Sequence, residues 1–367
     1  MKIAIITHSL RCNYGGILQN YALQQILKKW GHEVCTLKVK RKRNKWKEIS
    51  WLLRYYAHKV LGRNAVPPLL NRDINIICKY TDRFVHSHIQ MSPPMDLIDK
   101  KWIKKQHFDA IIVGSDQVLH PYSYKKIEDV YLGFVRGVRK IIYAGSFGSE
   151  KWFYNRRQES ECAKCLQDFC AISSRENTGV KFFKDKFHVQ AQLVLDPTLL
   201  LNQEQYLKFT SKIPLKPCIT TYLLDPNEDK KEIIKMVQFF LQKDVESASN
   251  ENMENPFIDV DKRIANSVEE WLYKMGNADF IITDSYHGTC FAIIFKKQFI
   301  TIANEKRGVD RFQTLLSSLD LQERLIYASR DLSESLICRK INYDDVYEKL
   351  SKFREGSLSF LEEALMN

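Results

Sequence analysis

The sequence lacks several patterns that would place the protein in a common class. No apolar run reaches the roughly 18 residues that a transmembrane helix needs. The first residues, MKIAIITHSL, have too short an apolar stretch for a signal peptide and no small-residue cleavage site. Neither a P-loop sequence nor a GxGxxG pattern occurs, so nucleotide sites of those two kinds have no support. We therefore expect a cytoplasmic protein.

A regular cysteine framework is also missing. The nine cysteines are odd in number and irregularly spaced, which is a poor basis for disulfides and suits a reducing compartment. Cys162 and Cys165 form a lone CxxC with no second pair nearby, and their spacing is that of one helix face rather than of a zinc site. We expect neither a metal nor another cofactor.

Acidic residues are scarce in one segment, and the charge there is strongly basic. The chain carries a formal charge of +12, and KVKRKRNKWK (residues 38–47) holds seven basic residues and no acid. WLLRYY follows at once. Basic side chains among tryptophans and tyrosines over residues 38–63 suit an anionic membrane surface, which would place the protein at the inner face of the plasma membrane. A solvated face is the plainer alternative, and membrane contact is favoured over nucleic acid.

The order of apolar runs predicts an α/β fold. The chain opens with a strand (KIAIIT), a polar loop, a helix (ILQNYALQQILKKWG) and a second strand (HEVCTLKV), which is a βαβ unit. Further strand candidates are FDAIIV, RKIIYAG, FCAISS, CITTYLL, FIIT and FITIA. With 367 residues, two domains are the default. We predict two Rossmann-like parallel-sheet domains facing a cleft, over residues 1–188 and 189–335. A helical tail over 336–367 could return to the first domain.

Polar loops follow these strands, and ligands bind beyond the carboxyl ends of parallel strands. One loop is DSYHG (residues 284–288), where Asp284 or Ser285 could simply cap a helix predicted over TCFAIIFKK. His287 would then lie beside free amide groups that can hold an anion, and its imidazole is a candidate general acid or base. Gly288 would let a ligand approach the backbone.

Five other charged residues occupy similar positions. Arg175 in SSRE could bind a phosphate or carboxylate, or pair with a surface acid. Arg307 and Arg311 follow the last predicted strand and are similar candidates. Asp116 in GSDQ could cap a turn or orient a substrate hydroxyl. Asp196 in VLDPTLL is predicted only to end a strand.

Six short motifs occur in a fixed order: SLRCNYGGILQNYALQ (9–24), VGSDQVLH (113–120), YAGSFG (143–148), SSRE (173–176), VLDPTL (194–199) and DSYHG (284–288). In these motifs and their approximate spacing the chain resembles the polysaccharide pyruvyl transferase family. The motifs frame most of the chain from residue 1 to about 310. They cover the basic segment and the residues after Arg330 weakly.

The resemblance implies a fold similar to the two-domain GT-B glycosyltransferases. It also implies transfer of the enolpyruvyl unit of phosphoenolpyruvate onto two hydroxyls of a sugar, forming a pyruvate ketal, in capsule or exopolysaccharide biosynthesis. His287 would be the catalytic histidine, Arg175 a donor-binding arginine and Tyr286 a donor contact. Better-described branches have arginine and leucine before the His-Gly pair, whereas this chain has Ser285 and Tyr286. Arg307 or Arg311 could replace the missing arginine.

The predicted site therefore has three parts. The catalytic residues are His287 and Asp116. The donor-binding residues are Arg175, Ser285, Tyr286, Gly288, Arg307 and Arg311. The first loop and helix usually face the acceptor in GT-B-like arrangements, so the acceptor-binding residues are Asn13, Tyr14, Gly15, Gly16, Gln19 and Gln117.

Two other functions stay open at this point. A GT-B glycosyltransferase that uses a nucleotide sugar would have a similar fold, although no clear Glu-x₇-Glu-like signature occurs. A non-catalytic membrane- or nucleic-acid-binding protein would use the basic segment but would leave the histidine, arginine and glycine loops unexplained. For the transferase, the expected partners are phosphoenolpyruvate and a sugar acceptor, which could be linked to a polyprenyl diphosphate.

Overall fold

The protein folds around two open parallel sheets. The computed structural model describes residues 1–39, 45–95, 98–124, 126–210, 216 and 218–366, with only the backbone described for Lys45 and Lys47. Part of the predicted basic segment, residues 40–44, lies outside this description. The strands are β1 (Lys2–Ile6), β2 (Glu33–Thr36), β3 (Ala110–Val113), β4 (Arg139–Gly145), β5 (Ala171–Ser174), β6 (Gln192–Leu193), β7 (Ile219–Tyr222), β8 (Val245–Ser247), β9 (Phe280–Thr283), β10 (Gln298–Ile302) and β11 (Leu325–Ile326).

Helices connect these strands. They are α1 (Tyr14–Lys29), α2 (Lys45–Val60), α3 (Asn71–Ile77), α4 (Lys79–His88), α5 (Lys100–Lys105), α6 (Arg156–Leu166), α7 (Asn177–Phe187), α8 (Glu204–Leu207), α9 (Glu228–Leu241), α10 (Val268–Asn277), α11 (Tyr286–Ile294), α12 (Asp310–Ser318), α13 (Glu334–Cys338) and α14 (Tyr343–Met366). Within the described residues, no helix combines the length and the apolar character needed to cross a bilayer.

The two sheets confirm the predicted α/β class. The first has the order β2-β1-β3-β4-β5-β6 and the second β11-β10-β9-β7-β8, with every named pair parallel. β3 (AIIV) and β9 (FIIT) are buried along their whole length, as expected where helices cover both faces of a parallel sheet. In the first sheet, β2 lies on one side of β1 and β3 lies on the other. In the second sheet, β8 and β9 lie on opposite sides of β7 in the same way. These two points are where ligands bind in such folds.

The predicted first boundary is too early. β6 pairs with β5, so the first sheet continues to Leu193, beyond the predicted limit of residue 188. A strand ending at Asp196 was predicted, but its pairing with β5 is hard to predict because β6 has only two residues and neither is fully buried.

The two sheets share a core. Tyr14 of α1 stacks on Trp271 of α10, with 5.3 Å between ring centroids, and both belong to one hydrophobic cluster that includes residues of both sheets. The tail helix α14 adds a second connection. Its Tyr347 hydroxyl donates to the carbonyl of Ile294 in α11, while its Ser357 hydroxyl accepts from the amide of Leu195 after β6. The tail thus reaches the first sheet.

One disulfide forms although the irregular cysteine spacing was expected to be a poor basis for disulfides. Cys12, in the loop before α1, forms a disulfide with Cys78, between α3 and α4. The two residues are 66 positions apart in the chain but 5.2 Å apart between Cα atoms. Local spacing cannot reveal such a pair, because only the packing of the α3–α4 segment against the first loop brings the thiols together.

Candidate functional site

A cavity of about 700 Å³ lies between the two sheets. The loops after β1, β3, β7 and β9 contribute to its walls, so it lies at the switch points of both sheets. Residues from the first unit that line it include Cys12, Asn13, Asp116 and Gln117. The opposite wall carries the start of α11 and the polar residues that follow β8.

His287 occupies the first turn of α11. Ser285 caps this helix by accepting the amide of Gly288 at 3.4 Å, because the chain leaves β9 and must satisfy the free amides of the new helix. The predicted cap at Ser285 is therefore present, while the helix starts earlier than predicted. The imidazole is only 7% exposed, and it lines the cavity.

The two ring nitrogens of His287 have different surroundings. Nε2 is buried without a hydrogen-bond partner among the described residues and lies 3.6 Å from Asp196 Oδ2. Nδ1 lies against the backbone of Gly15, where an added Cβ would come within 2.0 Å of it. Asp196 therefore lies on one side of the ring, and Gly15 packs against the other.

Arg175 links two buried aspartates. Its side chain has no exposed surface, and its two terminal nitrogens donate to Asp196 Oδ2 at 2.5 Å and Asp116 Oδ1 at 2.9 Å. Asp196 Oδ2 also accepts from the Ser115 hydroxyl, and Oδ1 accepts from the amide and hydroxyl of Thr198. Arg175 and His287, both predicted to belong to the site, thus approach the same carboxylate oxygen, Asp196 Oδ2.

The charges of this network decide its protonation. Burial raises the pKa of the Asp196 carboxyl, but the charges of His287 and Arg175 and the hydrogen bonds outweigh it and hold that pKa well below its usual range. Burial likewise raises the pKa of Asp116. The charge of Arg175, and to a smaller extent that of His287, outweighs burial, so the pKa of Asp116 is also lowered. Both aspartates are therefore carboxylates at neutral pH, and Arg175 neutralises part of their charge.

Arg311 has a different environment from Arg175. It lines the cavity, is nearly buried, and has neither a hydrogen bond nor a carboxylate within ion-pair distance among the described residues. Its guanidinium lies over the ring of Tyr286 at 5.5 Å, and that of Arg175 lies over the same ring at 4.7 Å. Burial, and after it the charge of Arg175, lowers the pKa of Arg311. An anion beside Arg311 would relieve both effects.

Arg307 also lines the cavity but has a partner. Its Nε donates to Asp225 Oδ2 at 2.6 Å, and Asn304 donates to the same oxygen. Of the two predicted replacements for the missing arginine, Arg311 is the one left free to bind an anion.

The positions of Arg175 and Gly288 do not agree with their predicted roles as donor contacts. Arg175 cannot bind a ligand directly in this arrangement, since its side chain is unexposed and both terminal nitrogens are engaged. Gly288 lies outside the cavity lining, and a Cβ there would meet Thr283 Oγ1 at 2.2 Å. The glycine is needed for packing of α11 on its own strand and not for the approach of a ligand. Ser285 and Tyr286 do line the cavity.

Most of the predicted acceptor residues do not reach the cavity. The Tyr14 hydroxyl donates to the carbonyl of Asn266, and the Gln19 side chain connects Thr7 to the amide of Ser115. Gly15 and Gly16 are buried in α1 and do not line the cavity. Of these residues, Tyr14 and Gly15 contact the second unit, through Asn266 and the His287 ring, while Gln19 connects loops of the first unit. Asn13 and Gln117 do line the cavity, as predicted for an acceptor wall.

Sequence analysis missed two parts of the site. Asp196 was expected only to end a strand, although it is an acid directly after buried Val194 and Leu195, which is a signal for a paired charge. The wall after β8 was also missed. Its polar run, SASNENMEN (residues 247–255), follows a strand in the same way as the other loops, and it supplies Ser249, Asn250 and Glu254 to the cavity.

Metal binding has no evident location in this region. Among the residues that the structure describes, no group of three or more histidine, cysteine, aspartate or glutamate side chains is arranged to hold an ion. The cavity instead offers one imidazole, one free guanidinium and hydroxyl-binding side chains.

Comparison with known proteins identifies the family. A model of the polysaccharide pyruvyl transferase family matches residues 13–306, which include Asn13, Asp116, Arg175, Asp196 and His287. The chain belongs to the polysaccharide pyruvyl transferase family. The suspected resemblance is thus confirmed, and the protein is a transferase of polysaccharide biosynthesis by family. No curated protein matches the chain.

Solved structures place the transferase in the GT-B fold. A UDP-N-acetylglucosamine 2-epimerase has a TM-score of 0.55 at 11% identity, covering 99% of this chain and 94% of that one. A putative UDP-N-acetylglucosamine 2-epimerase from Listeria monocytogenes and a UDP-glucosyltransferase from Polygonum tinctorium each have a TM-score of 0.50 at 10% identity, covering 99% of this chain and 97% of theirs. At such low identity the likeness shows the fold alone.

Proposed function

We propose that this transferase moves the enolpyruvyl unit of phosphoenolpyruvate onto two hydroxyls of a sugar, forming a pyruvate ketal and inorganic phosphate. The observation that supports the proposal most strongly is that two groups line one cavity. Arg311 has no ion-pair partner among the described residues, and His287 Nε2 lies 3.6 Å from Asp196 Oδ2. The donor needs both groups, because it carries two anionic groups and an enol carbon that must be protonated.

Arg311 is the proposed anion contact. Its guanidinium fork suits a carboxylate or a phosphate, and no carboxylate of the described residues competes for it. The stacked Tyr286 ring holds the guanidinium in place. Arg307 lies on the same cavity and would contribute only if its pair with Asp225 opened.

His287 is the proposed proton carrier. In the reaction, a proton adds to the enol carbon and the first sugar hydroxyl bonds to C2. The bond between C2 and the phosphate oxygen then breaks as the second hydroxyl attacks. Of the two hydroxyl protons, one balances the proton gained by carbon and the other leaves with phosphate. Asp196 stabilises the imidazolium that forms between these steps, and Arg175 holds Asp196 in position.

The acceptor would lie between the two walls of the cavity, beside Arg311 and His287. Asn13 and Gln117 on one wall and Asn250 and Glu254 on the other can donate to and accept from sugar hydroxyls. Asp116 retains its predicted role near a substrate hydroxyl, because it lines the cavity as a carboxylate held by Arg175. Holding two hydroxyls near C2 would lower the entropic cost of the reaction.

The test is phosphate release from phosphoenolpyruvate against a panel of galactosides, glucosides and N-acetylmannosamine derivatives, followed by mass analysis of the product. We expect phosphate release that depends on one acceptor class and a product heavier by the pyruvyl group. Release that is independent of any acceptor, or turnover of nucleotide sugars in place of phosphoenolpyruvate, would contradict the proposal.

A further inference from the structure

An amphipathic helix outside the cavity lining presents its apolar side to solvent. In α2, Trp46, Ile49, Leu53, Tyr56 and Val60 recur at spacings of three and four residues, so they form one stripe along the helix. We call these five residues the α2 stripe. Their exposed fractions lie between 46% and 86%. A core-facing helix would bury such a stripe.

The other side of α2 is the one held by the protein. Glu48, Leu52, Tyr55 and His58 are half-buried, and the Glu48 carboxylate accepts the amide of Asn71 at the start of α3 at 3.0 Å. Glu48 is the only acid in the helix. The packing therefore fixes the orientation of α2 and leaves the apolar stripe, without acidic neighbours on the helix, at the surface.

Basic residues flank the stripe. At 3.6 residues per turn, Arg54 and Lys59 fall on opposite sides of it, and both are exposed. Seven further basic residues lie in the stretch from 38 to 47. An apolar, aromatic-containing strip between basic flanks is the arrangement that lies in the interface of an anionic bilayer.

We propose that α2 docks the protein on an anionic membrane surface, with the α2 stripe entering the headgroup boundary and the exposed Arg54 and Lys59 contacting lipid phosphates. The segment that leads to α2 leaves the first sheet at the carboxyl end of β2, the edge from which Asn13 enters the cavity. This surface is independent of the chemistry in the cavity, so vesicle binding tests it separately from the proposed reaction.

The experiment uses the full chain and two kinds of vesicle, phosphatidylcholine alone and phosphatidylcholine mixed with phosphatidylglycerol. We expect co-sedimentation with the mixed vesicles only, weakened by salt. The affinity for the mixed vesicles should fall by about tenfold or more in the double variant Leu53→Asp/Val60→Asp. In Arg54→Glu/Lys59→Glu it should fall in proportion to the positive charge removed. Circular dichroism checks that α2 is retained in each variant.

A matched control comes from other exposed apolar residues. Phe239→Asp/Phe257→Asp changes two phenylalanines that are about as exposed but lie outside α2, and it should bind vesicles like the wild type. Equal binding to both vesicle types, or wild-type binding by the Leu53→Asp/Val60→Asp variant, would overturn the proposal. The proposal would also be overturned if the protein did not bind vesicles and the Leu53→Asp/Val60→Asp variant lost a homodimer. Salt-sensitive binding to DNA or RNA in place of vesicles would overturn it as well.

Discussion

At the scale of single residues, the account depends on different roles for two arginines. Arg175 and Arg311 lie over the same tyrosine ring, yet only Arg175 is neutralised by carboxylates. A buried guanidinium without a counter-ion is costly unless something pairs with it. Arg311 is therefore the residue whose environment calls for an anionic ligand, and Arg175 is a positioning residue for Asp116 and Asp196.

The first prediction concerns His287. The variant His287→Ala should lower kcat by on the order of 10²–10⁴-fold, because it removes the proton carrier but no anion contact. The dissociation constant of phosphoenolpyruvate should change little. Steady-state kinetics together with calorimetric titration of the donor would separate the two quantities, and near wild-type turnover would rule out His287 as the acid/base.

The second prediction concerns Asp196 and pH. Its folded-state pKa lies below the unfolded value of 3.8, so its contribution to the free energy of unfolding is complete above about pH 3.8 and is lost as pH falls through the folded pKa. Asp196→Asn should destabilise the protein by about 3–5 kcal/mol, because it removes one of the two carboxylates that neutralise the buried Arg175 and leaves only Asp116. Denaturant unfolding should give the same deficit from pH 7 to about pH 4, and a smaller one below.

The control for this experiment is Asp185→Asn, at an exposed position on α7, which should cost little at any pH. A deficit in the Asp196→Asn variant that already declines between pH 7 and pH 5 would contradict a depressed pKa. It would mean that the carboxyl is protonated, and so not an ion-pair partner, near neutrality.

At the scale of elements, the site is made by two helix starts that face each other. The first turn of α1 and the first turn of α11 are in contact, with Gly15 against the His287 ring. Because a Cβ at Gly15 would overlap Nδ1, any other residue there must displace the imidazole. The absence of a side chain at position 15 is thus explained by His287, which lies 272 positions later in the chain.

The third prediction follows from this contact. Gly15→Ala should lower kcat by roughly 10–100-fold, because a displacement of about 1 Å in a catalytic group costs rate on that scale. Gly16→Ala is the matched control: it adds the same methyl group one residue later, where the Cβ would meet only the Asn13 side-chain amide at 3.1 Å. Equal activity of the two variants would show that the Gly15 contact does not position His287.

Many of the elements could be predicted because buried parallel strands are continuous apolar runs. β1, β3, β4, β5, β7, β9 and β10 follow from such runs. The two-residue β6 has no such run, and a strand was expected there only from Asp196, which was predicted to end it. The helix after β9 was expected to start at Thr289 and to include Lys297, whereas α11 begins at Tyr286 and ends at Ile294. The Ser285 cap moves the start back, so His287 lies inside the helix.

The pairing of charges could not be predicted in the same way. Asp116, Arg175 and Asp196 follow β3, β5 and β6, and a single sequence does not say which strand ends meet or which side chains turn inward. The sequence identifies the loops that converge on a cavity. The partners within it depend on strand order, and this is why Arg175 was predicted to bind the donor and Asp196 was overlooked.

At the scale of the whole molecule, the cavity belongs to neither unit alone. Asn13, Asp116 and Gln117 come from the first, while His287 and Arg311 come from the second. The shared core through Tyr14 and Trp271 and the connection made by α14 hold these groups together. This joint construction fits a reaction between a small anionic donor and a separate sugar.

The measurement that tests the central claim most directly is calorimetric titration of phosphoenolpyruvate into the wild type and Arg311→Ala. The account predicts binding to the wild type and a dissociation constant raised by about 10-fold or more in the variant, since charge-assisted hydrogen bonds are lost. Arg330→Ala, at a surface arginine that is 86% exposed, should bind like the wild type. No binding of phosphoenolpyruvate to the wild type, or unaltered affinity in Arg311→Ala, would contradict the claim.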